Sequence, residues 1–169
     1  MPRGDGLLRP IVIGTVGNDE KAKLAKSHGC DHVIVYTRED FQKRVVEITS
    51  GNKVPVVYDS VGKDTFMKSL DCIRPRGLMA LFGAASGKVD PFDVNILAGK
   101  GSLYLTRPTL NTYAANREDL VAMAKELFEV VGSGAVKITV NQTYALKDAA
   151  QAHRDLEGRK TTGSTVFTV

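Results

Sequence analysis

Three residues near the start of this chain could together bind a phosphate group. Gly17, Lys21 and Tyr36 fall in a stretch, Ile11–Tyr36, whose two β-branched runs flank a segment rich in Lys and Ala. This pattern is typical of a strand, a helix that ends at Gly29, and a parallel strand. The loop after the first strand of such a unit lies at the carboxyl edge of the sheet, where open α/β folds bind ligands. The three residues are therefore candidates for an anion site.

The acidic residues near this loop bear on which nucleotide it could hold. No GxGxxG motif follows the first β-branched run, so the stretch resembles the second strand of a dinucleotide-binding fold rather than the first. At the end of that strand an NAD site needs an acid for the ribose hydroxyls, whereas an NADP site needs donors for the 2′-phosphate. Asp19 and Glu20 fit better as first-turn residues that the helix dipole favours. Two interpretations stay open: a 2′-phosphate pocket, or a helix cap with a solvated lysine and a half-buried tyrosine.

Two further loops at the same edge are rich in small residues. Ser60, Val61 and Gly62 follow a third β-branched run, and Phe82–Gly87 follows a fourth. Small residues at such loops let a flat ligand approach the backbone. A nucleophilic role for Ser60 beside Asp59 is disfavoured, because the chain has no GxSxG elbow and no histidine placed to act as a base. We predict no catalytic residue in this chain.

The rest of the chain continues the alternation of strands and helices. This alternation predicts an α/β fold with a doubly wound, mostly parallel sheet. The predicted strands are Ile11–Ile13, Val33–Val35, Val54–Tyr58, Leu78–Phe82, Ser102–Thr106, Val136–Tyr144 and Ser164–Val169. The predicted helices are Asp19–His28, Arg38–Thr49, Lys63–Asp71, Arg117–Val131 and Lys147–Glu157. Regular pairing of the third strand should begin just after Pro55. Pro75–Gly77 is predicted to be a turn, and Gly83–Gly99 a loop with at most a short helix.

Composition narrows the class of protein. A chain of 169 residues with 43% hydrophobic content can form one ordinary domain with a core. The net charge of +4 is spread too evenly to suggest a nucleic-acid partner. Cys30 and Cys72 lie far apart and outside any Cys/His cluster, which predicts reduced thiols and no metal. The sequence has no apolar run long enough to span a membrane and no signal-peptide core, so we expect a cytoplasmic protein without a membrane partner.

Four segments of the chain resemble a known family. They are VIGTVGNDEKAKLAKSHGCDHVIVYTRED, VVYDSVGKDTFMKSLDCIRPRGLMALFGAASG, KGSLYLTRPTL and AHRDLEGRKTTGST. They are similar to the zinc-independent quinone oxidoreductases, of the zeta-crystallin type, in the medium-chain dehydrogenase/reductase superfamily. The resemblance implies that residues 11–135 form a partial Rossmann domain for NADP that lacks its first strand and glycine-rich loop. Residues 136–169 would complete a GroES-like catalytic domain that is otherwise missing, and residues 1–10 would be an unrelated tail.

The resemblance also assigns residues to NADPH. The adenosine 2′-phosphate would contact Gly17, Lys21, Tyr36 and Arg159. Ser60, Val61 and Gly62 would lie along the cofactor, and Phe82, Gly83 and Ala84 would lie near its nicotinamide end. The implied reaction is hydride transfer from NADPH to a quinone or enone acceptor, without zinc, in a homodimer that pairs through the Ser102–Thr106 edge strand.

The missing glycine-rich loop limits what this chain can do alone. That loop holds the pyrophosphate, so we expect weak NADPH binding and little turnover. The alternative is a non-catalytic module that folds and dimerises, with weak nucleotide binding or none. An unrelated receiver-like domain is disfavoured, because it would need a cluster of acids at the strand ends and Asp59 alone does not make one.

Overall fold

A computed structural model of the chain describes residues 10–169. Of the predicted N-terminal tail, residues 1–9 therefore lie outside the described residues. The chain divides into two compact units, one that extends to Thr109 and one that comprises Leu110–Val169. We call them the N-terminal and the C-terminal unit and describe each by itself.

Strands and helices alternate along the chain as the sequence predicts. The strands are β1 (Ile13–Val16), β2 (His32–Val35), β3 (Val54–Asp59), β4 (Ile73–Leu81), β5 (Tyr104–Thr106), β6 (Val140–Ala145) and β7 (Ser164–Thr168). The helices are α1 (Asp19–Ser27), α2 (Phe41–Ile48), α3 (Phe66–Asp71), α4 (Asn95–Gly99), α5 (Leu110–Tyr113), α6 (Arg117–Gly132) and α7 (Ala149–Glu157), with a 3-10 turn at Leu146–Asp148.

All strand pairs of the described residues are parallel, which confirms the predicted α/β class. In the N-terminal unit β1 pairs with β2, and a separate sheet has the order β3-β4-β5. In the usual order of a dinucleotide-binding sheet, the first strand lies between the second and the fourth. If β1 is the second strand, the interruption between β1 and β3 falls where the sequence predicts that a first strand is missing.

Some boundaries differ from the predicted ones. β1 begins at Ile13 and continues to Val16, so the strand lies two to three residues later than the β-branched run Ile11–Ile13 suggests. Pro75–Gly77 is not a separate turn, because it lies inside β4 as an irregularity. The register of β3 with β4 shifts between Val54 and Val56, on either side of Pro55, as expected for a residue without an N–H donor. α5 has no counterpart among the predicted helices.

Two apolar clusters form the core of the N-terminal unit. One contains Phe66 and Leu70 of α3 together with Ile73, Met79 and Leu103. The other contains Ile34 of β2, Val45 of α2 and Cys72, and we call it the second cluster. Ile13 of β1 and Val54 and Val57 of β3 pack against the second cluster. Side chains from both sheets of the N-terminal unit therefore pack together in the second cluster.

The C-terminal unit contains a complete strand-helix-strand motif. β6 and β7 are parallel neighbours joined by α7, and the hydroxyl of Tyr144 on β6 donates a hydrogen bond of 3.0 Å to Asp155 on α7. The strand predicted from Val136 begins only at Val140. Of the described residues in this unit, Ala152 alone is buried among the apolar side chains. The other apolar side chains of the described residues in this unit are partly buried or exposed.

α6 is the longest helix of the described residues, it agrees with the predicted range Arg117–Val131, and its apolar stripe contains Leu120, Met123, Leu127 and Val131. Asn116 caps its N-terminus by accepting from the Asp119 N–H at 2.8 Å. Leu120, Leu127 and Phe128 are nevertheless exposed. The amphipathic pattern therefore predicts where the helix forms, but it does not predict whether the apolar side chains are buried. Among residues 10–169, the structure contains no helix with the length and apolarity that a membrane crossing requires.

Candidate cofactor-binding site

The loops that follow β3 and β4 are joined by backbone hydrogen bonds. The Ala85 N–H donates to the Ser60 carbonyl at 3.1 Å, and the Ser86 N–H donates to the Val61 carbonyl at 2.8 Å. The Ser86 hydroxyl also donates to the Val61 carbonyl, at 2.9 Å. We call this arrangement the paired loops. It brings together at one edge two segments that the sequence predicts to lie along the cofactor.

Two glycines allow the paired loops to approach so closely. A Cβ atom on Gly83 would lie 2.3 Å from the Ser60 carbonyl oxygen, which is far inside van der Waals contact. Gly62 has a φ of +90°, and a Cβ there would lie 2.7 Å from the Gly87 carbonyl oxygen and 3.1 Å from the Ala84 Cα. Five of the six residues predicted for these loops, all except Phe82, thus contact a residue of the other loop. The sixth, Phe82, has a half-exposed side chain at the same edge.

Asp59 organises the loop after β3. Its carboxylate is buried and accepts from the Val61 and Gly62 N–H groups at 2.8 and 3.0 Å. It also accepts from the hydroxyls of Thr65 and Ser69, both at 2.7 Å. Burial acts to raise the pKa of this carboxyl, but the four hydrogen bonds outweigh burial, so the pKa lies below its ordinary value.

This internal role of Asp59 was not part of the sequence prediction. The signals that could have indicated it are the position of an acid directly after a buried strand and the hydroxyl residues six and ten positions later. Its oxygens are satisfied from within the protein, so Asp59 holds the loop in shape. The loop then presents Ser60, Val61 and Gly62 in a fixed conformation.

The second group of predicted residues lies at the carboxyl ends of β1 and β2. Gly17 follows β1, and a Cβ there would lie 3.2 Å from the Tyr36 hydroxyl oxygen. The Thr37 hydroxyl donates a hydrogen bond of 3.0 Å to the Gly17 carbonyl. Lys21 lies in the first turn of α1, where its N–H donates to the capping side chain of Asn18 at 2.9 Å. The structure therefore brings Gly17 and Tyr36 into contact, next to the positive end of a helix dipole.

Arg38 is a residue of this edge that the sequence prediction missed. Its guanidinium donates two hydrogen bonds to the two oxygens of Asp19, at 2.8 and 2.7 Å. These hydrogen bonds lower the pKa of the Asp19 carboxyl, and the positive charge of Arg38 lowers it further. The nearest strand-end acid is thus held by a cation in a bidentate pair. A basic residue two positions after Tyr36 is the signal that could have indicated the pair.

Arg159 lies in the C-terminal unit, two residues after the end of α7. Its backbone has a φ of +57°, and its N–H donates to the Leu156 carbonyl at 3.0 Å. Its place in a 2′-phosphate pocket remains a prediction that follows from the resemblance.

The chain has two cysteines, Cys30 and Cys72. Both are free, and burial raises the pKa of the Cys72 thiol to about 12. Within residues 10–169 there is no group of three His, Cys, Asp or Glu side chains that could hold a metal ion.

Comparisons with known proteins identify the family. The family model that describes zinc-binding dehydrogenases matches residues 28–167. The chain belongs to this family. The quinone oxidoreductase of Pseudomonas aeruginosa is 55% identical over 156 residues, which are 92% of this chain and 48% of that protein. The 2-haloacrylate reductase of a Burkholderia species is 49% identical over 161 residues, 95% of this chain and 48% of that one.

A solved structure extends the likeness to three dimensions. The quinone oxidoreductase of Escherichia coli in complex with NADPH superimposes with a TM-score of 0.90 at 49% identity, and the match covers 94% of this chain and 49% of that one. The predicted resemblance to quinone oxidoreductases is thus confirmed. The chain spans about half the length of the relatives that it matches.

The name of the family implies zinc, but the described residues do not fit it. A catalytic zinc site requires three protein ligands, and no such group occurs among residues 10–169. We therefore derive no step through a metal ion. A dinucleotide fits the described residues better, because its binding requires close backbone approach and a helix N-terminus, and both are present at the carboxyl edge.

Proposed function

We propose that this chain is the cofactor-binding part of an NADPH-dependent reductase that acts on a quinone or a related enone. The observation that carries the proposal is the bidentate pair between Asp19 and Arg38 at the edge where Gly17 contacts Tyr36. An NAD site needs a strand-end carboxylate that accepts from the ribose hydroxyls. Here that carboxylate is held by a cation, while Lys21 lies in the first turn of α1. This arrangement favours a 2′-phosphate.

The relatives support the same choice of cofactor. The E. coli relative is a quinone oxidoreductase with bound NADPH, and the P. aeruginosa relative is also a quinone oxidoreductase. In this chain Gly17, Lys21, Tyr36 and Arg159 would hold the adenosine 2′-phosphate. The paired loops, with Ser60, Val61, Gly62, Phe82, Gly83 and Ala84, would line the rest of the cofactor toward the nicotinamide.

The chemistry in this proposal belongs to the cofactor. When bound, NADPH would supply a hydride from its nicotinamide, and a quinone that takes up this hydride together with one proton would become the hydroquinone, leaving NADP⁺. We assign no general acid or base in this chain. Its residues bind and orient the cofactor, and the paired loops keep a rigid backbone surface against it.

A titration with adenosine nucleotides tests the choice of cofactor. The full chain is titrated with 2′,5′-ADP and with 5′-AMP, two probes that differ in the 2′-phosphate alone. We expect 2′,5′-ADP to bind at least about ten-fold more tightly, because a charge-assisted phosphate contact adds about 1.5–3 kcal/mol. Lys21→Gln should remove most of this preference.

Lys26→Gln is the matched control, because Lys26 lies in the last turn of the same helix. It should leave the preference unchanged. Equal affinity for the two probes would contradict the 2′-phosphate assignment. Equal losses from Lys21→Gln and Lys26→Gln would show that general charge, rather than a pocket, produces the preference.

The proposal also covers turnover by this chain alone. Because the sequence has no GxGxxG motif, we propose weak binding of whole NADPH and turnover far below the usual value of about 10 s⁻¹. Loss of NADPH absorbance at 340 nm in the presence of a quinone measures it. Ordinary turnover would contradict this part of the proposal while leaving the cofactor assignment intact.

The second candidate function is a dimerising module without catalysis, and the position of β5 favours it. β5 is the end strand of its sheet, and Tyr104 on it is exposed. An exposed edge strand can pair with its copy in a second chain. We propose that dimers form through Ser102–Thr106 in a cytoplasmic protein. Sedimentation of the chain and of Leu105→Pro, which removes a backbone donor from β5, would test the dimer.

A further inference from the structure

Two side-chain contacts join the loops that follow β1 and β2. The Thr37 hydroxyl donates to the Gly17 carbonyl at 3.0 Å, and the Arg38 guanidinium donates to both carboxylate oxygens of Asp19. Asp19 lies two residues after Gly17, and Arg38 lies two residues after Tyr36. The pair of Asp19 and Arg38 therefore borders the proposed 2′-phosphate pocket, although neither residue belongs to the set that would contact the phosphate.

The carboxylate of Asp19 is in an unfavourable place for such a phosphate. Asp19 is the first residue of α1, where a negative side chain interacts with the positive end of the helix dipole. A phosphate in the pocket would depend on that same positive end. The two anions would also repel each other. A negative residue at this position therefore disfavours a 2′-phosphate unless its charge is neutralised.

Arg38 neutralises this charge in a fixed geometry. Its two terminal nitrogens each donate to one oxygen of Asp19, at 2.8 and 2.7 Å, and this bidentate pair has no net charge. The two side chains are 58% and 65% exposed, so water screens the pair and it contributes little to folding stability. Loss of Arg38 would instead change the charge beside the pocket, because Asp19 would then keep its full negative charge.

We propose that Arg38 is a positioning residue that sets the preference for a 2′-phosphate by holding Asp19, without itself contacting the cofactor. The inference rests on the proposed function, because it concerns the same pocket. Both terminal nitrogens of Arg38 are directed to Asp19, whereas Lys21 is the residue proposed to contact the phosphate. Without Arg38, the Asp19 carboxylate would repel the 2′-phosphate and could accept from ribose hydroxyls, as an acid does in an NAD site.

A double-mutant cycle on the full chain tests this role. The dissociation constants of 5′-AMP and 2′,5′-ADP are measured for the unsubstituted chain, Arg38→Gln, Asp19→Asn and the double variant, and their ratio gives the 2′-phosphate preference. Arg38→Gln should lower this ratio at least about five-fold, the effect that one unit charge exerts over about 4 Å in water. The loss should come from weaker binding of 2′,5′-ADP, while 5′-AMP binds as tightly as before or more tightly.

The ratio separates this role from a merely structural one. If Arg38 only held the two loops together, Arg38→Gln would weaken the binding of both probes alike. The double variant Arg38→Gln/Asp19→Asn replaces a neutral pair by another neutral pair, so it should regain the ratio of the unsubstituted chain to within about two-fold. Asp19→Asn alone should not lower the ratio, because it removes the repelling charge.

Lys23→Gln is the matched charge control. Lys23 also lowers the pKa of Asp19, but through its charge, whereas Arg38 acts through hydrogen bonds as well. Lys23→Gln removes one positive charge from the same helix and leaves the bidentate pair in place. It should therefore change the ratio by no more than about two-fold.

Three results would overturn the role of Arg38 while the unsubstituted chain still prefers 2′,5′-ADP. The first is an unchanged ratio in Arg38→Gln. The second is a low ratio that persists in the double variant, since Arg38 would then bind the phosphate directly. The third is an equal loss in Lys23→Gln, since the net charge of the helix would then be responsible. Equal affinity of the unsubstituted chain for the two probes is a different result, because it contradicts the proposed function and this inference together.

Discussion

The two units of this protein contain similar strands and helices but bury very different amounts of apolar surface. The N-terminal unit encloses Phe66, Leu70, Ile73 and Met79 almost completely. In the C-terminal unit, α6 has a longer apolar stripe than any helix of the N-terminal unit, yet Leu127 and Phe128 are exposed. Local pattern and burial are thus separate properties. The first depends on spacing along the chain, and the second depends on what else is present to pack against.

The comparison also separates two kinds of site. The paired loops are fixed by hydrogen bonds and glycine contacts within the N-terminal unit. Arg159, by contrast, is only proposed to contact the same cofactor, and it belongs to the C-terminal unit. The geometry of the N-terminal unit places the paired loops next to each other, whereas a contact of Arg159 with the same cofactor needs a separate observation.

The largest expected difference concerns the same substitution in the two units. Leu70→Ala should lower the free energy of unfolding by about 2–5 kcal/mol, because it leaves a cavity beside fully buried neighbours. Leu127→Ala should change it by no more than about 0.5 kcal/mol, because this side chain is half exposed. Urea denaturation followed by circular dichroism measures both. Similar losses would show that the contrast in burial does not hold in solution.

The next effect tests the contact between the paired loops. Gly83→Ala should cost about 1–3 kcal/mol, since a new Cβ would overlap the backbone of Ser60. Gly99→Ala is the control, because a Cβ on Gly99 at the end of α4 meets no atom within 4 Å. It should be neutral or slightly stabilising, as alanine favours helices. A neutral Gly83→Ala would mean that the two loops are not in contact.

A third prediction concerns the charge of Asp59. Its pKa is lowered in the folded protein, so the ionised carboxylate stabilises the fold above the unfolded pKa of about 3.9. This stabilisation is lost as the pH falls through the folded pKa. Asp59→Asn should therefore cost about 1–3 kcal/mol near pH 7, and the cost should begin to fall once the pH drops below about 3.9.

Thermal unfolding between pH 3 and 7 measures that difference, with the exposed Asp64→Asn as control. The control should follow the unsubstituted chain throughout. If Asp59→Asn cost the same amount at every pH, the hydrogen bonds would stabilise the loop without depending on the charge of the carboxylate.

The smallest expected effect is a difference in the rate at which the two thiols react, and it does not involve the stability of the protein. Cys72 is buried with a pKa raised to about 12, whereas Cys30 is partly exposed. Iodoacetamide at neutral pH should modify Cys30 at least about ten-fold faster, because the thiolate is the reactive form. Mass spectrometry with and without urea distinguishes the two sites. Equal rates in the native state would show that the core around Cys72 opens readily.

Much of the N-terminal unit could be predicted from its sequence, because its elements carry strong local signals. The β-branched runs and the helical spacing of apolar residues place the first three strands and the first three helices to within three residues. The resemblance to quinone oxidoreductases added Arg159, which no local pattern indicates. The irregular start of β4 could not be predicted, since Pro75 and Gly77 are typical turn residues and pairing with β3 keeps them in the strand.

The sequence by itself determined the α/β class, the order of the elements and the small residues of the strand-end loops, and Gly17, Lys21 and Tyr36 remain its prediction for a phosphate pocket. These properties depend on residue types at short spacing. The tertiary structure alone decided that Asp59 holds the loop after β3 and that Arg38 binds Asp19. Arg38 and Asp19 lie 19 residues apart, and Asp59 accepts from hydroxyls six and ten residues later in the next helix region, so only the folded backbone brings these groups together.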